Sequence, residues 1–406
     1  MPKSLSLLLL PSPPSKIDKT SLAATYKPSL EAVLDTLKSS PTSTELQIAL
    51  PFPSLHGRLD SPRAQLWPSA QRLLADTYSL LCSICAKNNI DVDTSTAGSV
   101  DSRIILLDYN GSPSPSDLPP RSQNSGPIID LATLATSRKS WDLIFTLDGE
   151  EGQLLLQTYI DLANHHQPSL AGHVVTVDRG IVIKSADPEP PISPSSSSGG
   201  ERKPHHIVAV GGTFDHLHAG HKLLLTATAL ILQPSPSSPR RLIVGITGDK
   251  LLQSKKHVEL LESWRERQNS VVLFLLSILS FPTTSSLPVE TREVYEPVPN
   301  GRCIFTFLHA ANLTIECVEI QDPFGPTITE EDVTALVVSG ETRGGGQAVN
   351  EKREEKGWGA LEVFEVDVLD GGEGDGDGGD GEFGSKISSS GIRKRIAEMK
   401  AKGPSL

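Results

Sequence analysis

The sequence predicts an α/β protein: a Rossmann-like domain with a parallel sheet over residues 205–406, preceded by a smaller α/β unit over 1–186. Three observations carry this expectation. From His206 onward, short apolar runs alternate with longer amphipathic ones, the pattern of parallel strands joined by crossover helices. Residues 187–204, with Pro-Glu-Pro-Pro followed by a serine run and two glycines, have the composition of a linker. Between the first apolar run of the second domain and its first helix pattern stands the turn Gly211-Gly212-Thr213, where a strand hands over to a helix N-terminus.

Within 1–186 the expected elements are a helix near Leu30 to Leu37, a helix ending near Ala86, a strand over Arg103 to Leu107, a strand over Leu143 to Leu147, a helix near Gln153 to Asn164 and a strand over His173 to Val177. The second domain is expected to run strand Ile207–Val210, helix Ala219–Leu232, strand Leu242–Ile246 and a helix through Val258 to Leu279. There follow strand Thr314–Ile320, a short helix Glu330–Asp332, strand Ala335–Val338, helix Gly346–Lys356, strand Leu361–Val368 and a last helix from Ser389. Two interruptions read as insertions: a Pro/Ser-rich surface segment at 282–302, and residues 370–382, where Gly alternates with acids in the manner of a solvated loop. The latter lacks the ligand order of an EF-hand.

Composition narrows the function classes. The net charge of −12 argues against a general nucleic-acid binder but leaves a local phosphate site open. With 31 prolines, 33 glycines and only 5% aromatic residues, part of the chain belongs to loops. Cys82 and Cys85 form a C-x-x-C, but they fall on an amphipathic helix with no second pair at zinc-finger spacing, so they read as helix-core residues. No apolar run reaches the roughly 20 residues of a membrane span. Leu5 to Leu10 is a short apolar patch cut off by Pro11, Pro13 and Pro14, which argues against a secretory signal and supports a transit peptide only weakly. The expectation is a soluble, cytoplasmic protein.

The chemistry concentrates in Gly211-Gly212-Thr213-Phe214-Asp215-His216-Leu217-His218-Ala219-Gly220-His221. Glycines let a backbone approach an anion, a helix start offers unpaired N–H groups, and two imidazoles and a hydroxyl add donors: a phosphate cradle. A second element lies near the far end, Lys386-Ile387-Ser388-Ser389-Ser390-Gly391-Ile392-Arg393, where hydroxyls at a helix start can cap it and bind phosphate oxygens, with Arg393 as a charged fork. Asp215 reads as a turn carboxylate, Asp322 and Gly325 as turn formers, and His205 and His206 as inert.

Together these two elements resemble the nucleotidyltransferase superfamily with the His-x-Gly-His motif. Gly248-Asp249-Lys250-Leu251-Leu252 with Ser254-Lys255-Lys256, Asp322-Pro323-Phe324-Gly325-Pro326-Thr327, and Ala335-Leu336-Val337-Val338-Ser339-Gly340-Glu341-Thr342 narrow the resemblance to phosphopantetheine adenylyltransferases of the eukaryotic, fungal-like type. The resemblance covers His206 to the C-terminus apart from the insertions, and none is evident for the first half. It implies transfer of AMP from ATP to 4′-phosphopantetheine, giving dephospho-coenzyme A and pyrophosphate in coenzyme A biosynthesis, without a covalent enzyme intermediate.

The resemblance also assigns roles. His221 is the main catalytic histidine, donating to the α-phosphate, and His218 contacts the nucleotide phosphates. Thr213 and Lys255 hold the acceptor phosphate, with Lys256 a rival for the lysine role. Gly212 and Phe214 belong to the nucleotide site. Ser388, Ser389 and Ser390 cradle the β and γ phosphates beside Arg393. Mg²⁺ is implied, bound mainly through the ATP phosphates. Bacterial relatives place an arginine after the strand equivalent to Ala335–Val338; Arg343 is the nearest candidate here, in a shifted register. Two other readings stay open: a cytidylyltransferase of the same superfamily, although its usual terminal motif is absent, and a non-catalytic scaffold, although no motif residue is lost. No G-x-x-x-x-G-K-[ST] loop occurs, so the kinase step that follows in the pathway is expected on another chain. The first half is then free to serve as an interaction module, and a complex with other enzymes of the pathway is compatible with it.

Overall fold

The computed structural model describes residues 3–56, 61–92, 96–111, 126–137, 139–166, 172–180, 203–235, 238–282, 289–295, 301–369 and 388–402. The chain divides into two compact units, Met1–Pro204 with Phe281–Thr284, and His205–Ser280 with Ser285–Leu406. Most of the linker-like stretch and the whole of 370–382 lie outside the described residues, as do Lys386 and Ile387.

The first unit runs β1 (Ser4–Leu9), α1 (Lys19–Lys38), β2 (Thr44–Pro51), α2 (Arg63–Lys87), β3 (Val100–Asp108), β4 (Ile128–Asp130), α3 (Leu131–Thr136), β5 (Leu143–Leu147), α4 (Glu150–His166) and β6 (His173–Val177). Its strands form one sheet in the order β4-β3-β2-β1-β5-β6, parallel at every pairing. The apolar patch at Leu5 to Leu10 is therefore built into the sheet. It is the central strand, with Leu7, Leu8 and Leu9 fully buried. A strand covered on both faces has no polar side to alternate with, so its sequence shows no period of two. The same reason hides β2. Helix α1 starts well before the expected Leu30, where the Asp18 side chain accepts from the Ser21 N–H at 2.8 Å. Its buried stripe of Leu22, Tyr26, Leu30 and Leu34 runs straight past Pro28. Cys82 and Cys85 are buried on α2, and none of the four cysteines is in a disulfide.

The second unit runs β7 (Ile207–Gly212), α5 (Ala219–Ile231), β8 (Arg240–Thr247), α6 (Trp264–Leu279), β9 (Glu290–Val294), β10 (Cys303–Leu308), β11 (Leu313–Ile320), β12 (Ala335–Ser339), α7 (Arg343–Glu355), β13 (Glu362–Val366) and α8 (Ser389–Lys402). The sheet order is β13-β12-β7-β8-β11-β10-β9. From β13 to β11 the pairings are parallel, while β10 and β9 add an antiparallel edge. The sheet is thus mixed rather than wholly parallel, and the segment at 282–302 is not simply a surface insertion, because it supplies edge strand β9.

Two helices also differ from expectation. The segment from Val258 begins with a 3-10 turn, and α6 starts only at Trp264, where Ser263 and Glu266 form a reciprocal capping box. Glu330–Asp332 is not helical. The buried Arg353 guanidinium instead takes the carbonyls of Thr327, Glu330 and Glu331 at 2.7–3.0 Å, holding that loop as a turn.

From β7 the chain winds through β8 and β11 to one side, then crosses back to β12 and β13 on the other. The winding direction reverses between β7 and β12. In open α/β sheets that reversal leaves a crevice at the carboxyl ends of the two strands, where the following loops diverge.

Candidate active site

Strand β7 ends at Gly212, and the next turn is tightly constrained. A Cβ on Gly212 would sit 3.0 Å from the Phe214 ring, which folds back beneath it. Phe214 and His216 both adopt left-handed backbone, with φ of 53° and 46°. That region is unfavourable for side chains of this size and persists only where surrounding structure enforces it. Here the enforcement is visible. The His216 N–H donates to Glu262 Oε2 at 2.7 Å, and its Nε2–H donates to the Leu260 carbonyl at 2.9 Å. Asp215 is fully buried, accepts the Glu262 N–H at 2.9 Å and pairs with the Arg393 guanidinium.

Arg267 is the clamp that sequence reasoning missed. Its buried guanidinium donates to the carbonyls of Thr213 (2.6 Å), Thr247 (2.9 Å) and Glu262 (3.0 Å), and to Asp249 Oδ1 (2.6 Å). It thereby ties the end of β8 to the turn after β7. One signal was available: Arg267 stands on the stripe of α6 shared by Val271, Phe274 and Ile278, where a charge needs a partner.

Helix α5 then begins with His218 in the capping position, and no side chain among the described residues caps it. Its first N–H groups are left for a ligand or water. His218 and His221, one turn apart, stack with ring centres 3.8 Å apart and planes at 23°, and Phe214 lies 5.3 Å from His221. Neither Nδ1 has a hydrogen-bond partner among the described residues. Desolvation by the surrounding protein pushes His221 down to about 3. Burial, with His221 and Lys222 beside it, holds His218 well below the usual imidazole range. Both rings are therefore neutral near pH 7, each offering one N–H.

These groups open onto a cavity of about 1020 Å³. Its wall brings together Gly212, Thr213, His218 and His221 from the β7–α5 turn, Lys255 from the loop after β8, Ser388 just before α8, and Ser389, Ser390 and Arg393 from α8. Asp322, Phe324 and Pro326 line another side, with Ser339 at the end of β12 and Glu341 and Thr342 after it. The Asp322 carboxylate accepts the N–H groups of Phe324 and Gly325 at 2.7 and 2.8 Å, which makes it a turn former. Ser388 caps α8 by accepting the Gly391 N–H at 3.1 Å, and Ser389 Oγ donates to the Asp215 carbonyl at 2.7 Å.

Three residues expected at the site stand differently. Phe214 is not on the wall; it is fully buried and supports Gly212 and His221 from below. Arg343 is not on the wall either, because Glu365 holds its exposed guanidinium, with Nε to Oε2 at 2.6 Å. Of the two lysines, Lys255 lines the cavity and Lys256 does not; the Lys256 carbonyl accepts Arg393 Nε at 3.0 Å. His205 is bound structurally, between Thr334 Oγ1 and Glu362 Oε2 at 3.0 Å each.

Among the described residues no helix is long and apolar enough to cross a membrane. Residues 1–183 match a family model described as a domain of unknown function, DUF8446. The chain is 36% identical over 191 residues to a phosphopantetheine adenylyltransferase of Saccharomyces cerevisiae, covering 47% of this chain and 48% of that one. It is 36% identical over 181 residues to an uncharacterized protein of Schizosaccharomyces pombe, covering 44% and 45%. The chain thus spans about half the length of these two curated relatives. A phosphopantetheine adenylyltransferase of Methanopyrus kandleri is 31% identical over 194 residues, 47% of this chain and 90% of that protein. With nearly the whole of that relative matched, the chain belongs to the phosphopantetheine adenylyltransferase family.

Proposed function

We propose that the chain transfers AMP from ATP to 4′-phosphopantetheine, giving dephospho-coenzyme A and pyrophosphate. The observation that carries this reading is the convergence on one cavity wall of Thr213, His218, His221, Lys255 and the serine run 388–390. Two helix N-termini, three kinds of hydroxyl or imidazole donor and one ammonium meet there. That is donor chemistry suited to two phosphorylated ligands rather than to a carbonyl or a metal hydroxide.

An oxygen of the phosphopantetheine phosphate attacks the α-phosphorus of ATP in line. The bond from that phosphorus to the bridging oxygen breaks, and pyrophosphate leaves with the electron pair. The work of the site is alignment and charge stabilisation. Thr213 and Lys255 hold the acceptor phosphate against the α-phosphorus. His221, a neutral ring, donates its N–H to the α-phosphate oxygens without transferring the proton, and His218 donates beside it. Ser388, Ser390 and the N-terminus of α8 hold the β and γ phosphates, and Ser389, whose hydroxyl hydrogen goes to the Asp215 carbonyl, adds its backbone N–H. Mg²⁺ would be carried by the triphosphate, where it would neutralise charge on the leaving group. The similarity to the yeast relative supports a fungal-like type, and a cytoplasmic location is part of the same proposal.

Full-length protein mixed with ATP, Mg²⁺ and phosphopantetheine should release pyrophosphate in step with dephospho-coenzyme A, identified by mass. Pyrophosphate release that requires CTP, or none with either nucleotide, would overturn the assignment.

A further inference from the structure

Arg393 sits on the wall of the cavity, yet its guanidinium faces protein. One terminal nitrogen pairs with the fully buried Asp215 carboxylate, the other reaches Ser390 Oγ at 3.4 Å, and Nε donates to the Lys256 carbonyl at 3.0 Å. Only 2% of the side chain is exposed. Each partner belongs to a different wall segment. Asp215 lies in the turn that carries Thr213, His218 and His221. Lys256 follows the cavity-lining Lys255, and Ser390 closes the serine run. Asp215 completes the arrangement from the other side: its carbonyl accepts Ser389 Oγ and its carboxylate accepts the Glu262 N–H.

We propose that Arg393 and Asp215 form a buried latch that positions the other groups. It docks α8 against the His-x-Gly-His turn and the lysine loop, so that the serines, the histidines and Lys255 face one ligand pair. In this assignment Arg393 is a positioning residue and gives no hydrogen bond to the triphosphate. Breaking a buried pair leaves the surviving charge unmatched, so losing either partner loosens the same junction. The inference deepens the proposed function and rests on it for the identity of the ligand.

The alternative, a direct phosphate contact by Arg393, makes the opposite forecast for Asp215. Neutralising the carboxylate would free the guanidinium for ATP and tighten binding. In the full chain, Asp215→Asn, Arg393→Gln and their double variant are compared for ATP affinity by calorimetry and for amide exchange in residues 389–402. The latch predicts that both single variants weaken ATP by tenfold or more. It also predicts a double variant within about twofold of the worse single one, and α8 amides that exchange at least tenfold faster in all three. Unchanged or tighter ATP binding by Asp215→Asn, additive losses, or unchanged exchange in α8 would overturn it. Should Asp215→Asn not fold, Arg393→Lys serves in its place. It keeps a charge for phosphate but cannot span three partners, so the latch predicts the same faster exchange, and wild-type exchange would refute it. If the wild-type chain binds no ATP, the function fails, while the exchange comparison still decides the latch.

Discussion

Both units reverse their winding between two parallel strands, β1 and β5 in the first and β7 and β12 in the second, and they treat that place in opposite ways. After β1 the chain reads Leu10-Pro11-Ser12-Pro13-Pro14, and its polar groups are met internally. Tyr26 Oη donates to the Pro11 carbonyl at 2.7 Å, and the Ser12 N–H donates to Glu151 Oε1 at 3.0 Å. Helix α1 is capped by Asp18, and α4 opens on Glu150 and Glu151, so carboxylates already stand at those helix starts. After β7 the corresponding turn carries two glycines, and among the described residues no side chain caps α5 and two imidazole nitrogens have no partner. Sheet topology offers a crevice, and the residues after the strand decide whether it is closed or kept open for an anion.

The largest effect should come from the clamp beneath the open turn. Arg267→Met removes a buried charge and strands the three carbonyls it binds, so it should destabilise the second unit by about 3–5 kcal/mol. Thermal unfolding read on a probe in that unit checks this; an unchanged transition would mean that the turn holds its left-handed residues without help.

His221→Ala comes next. Losing a donor that acts where charge develops should lower turnover roughly a hundredfold, or about 3 kcal/mol of barrier, while ATP affinity changes by only a few-fold. Equal losses in turnover and affinity would make His221 a binding group instead. A third measurement concerns its charge. The folded value near 3 lies below the ordinary 6.5, so the unfolded chain takes up a proton first as pH falls. The native unit is therefore not penalised above about pH 6.5 and loses stability through this group as pH drops from there toward 3. A proton NMR titration of the free protein should show the His221 ring unmoved between pH 5 and 8.

Much of the second unit is written locally, which is why its sequence is readable. The Gly-Gly-Thr turn, the histidine pair and the serine run each lie within a few residues, and β7, β8, β11 and β12 alternate with helices in the chain. What stayed hidden depends on distant partners. Arg353 looks like an ordinary helix-surface charge, and the apolar stripe under Arg267 says only that it needs a partner, until folding brings the carbonyls they bind. Arg393 looks like a phosphate ligand until Asp215, 178 residues away, is found beside it. Phe214 belongs to the motif by position but points inward. Strands β1 and β2 lacked alternation because both faces are covered, and β9 and β10 were obscured by the Pro/Ser-rich segment around them.

The smallest expected effect tests the closed side of the comparison. Asp18 caps α1 through the Ser21 N–H and pairs with Lys16 at 2.8 Å, and these bonds hold its carboxyl down at about 2. Its contribution is thus present above roughly pH 4, the unfolded value, and fades as pH falls toward 2. Asp18→Ala should cost the first unit about 1 kcal/mol near pH 7 and leave pyrophosphate release by the second unit unchanged. The difference between variant and wild type should shrink in acid as the wild-type carboxyl protonates. A fall in turnover would show that the closed crevice of the first unit takes part in the chemistry of the open one, and the contrast drawn from their capping residues would no longer hold.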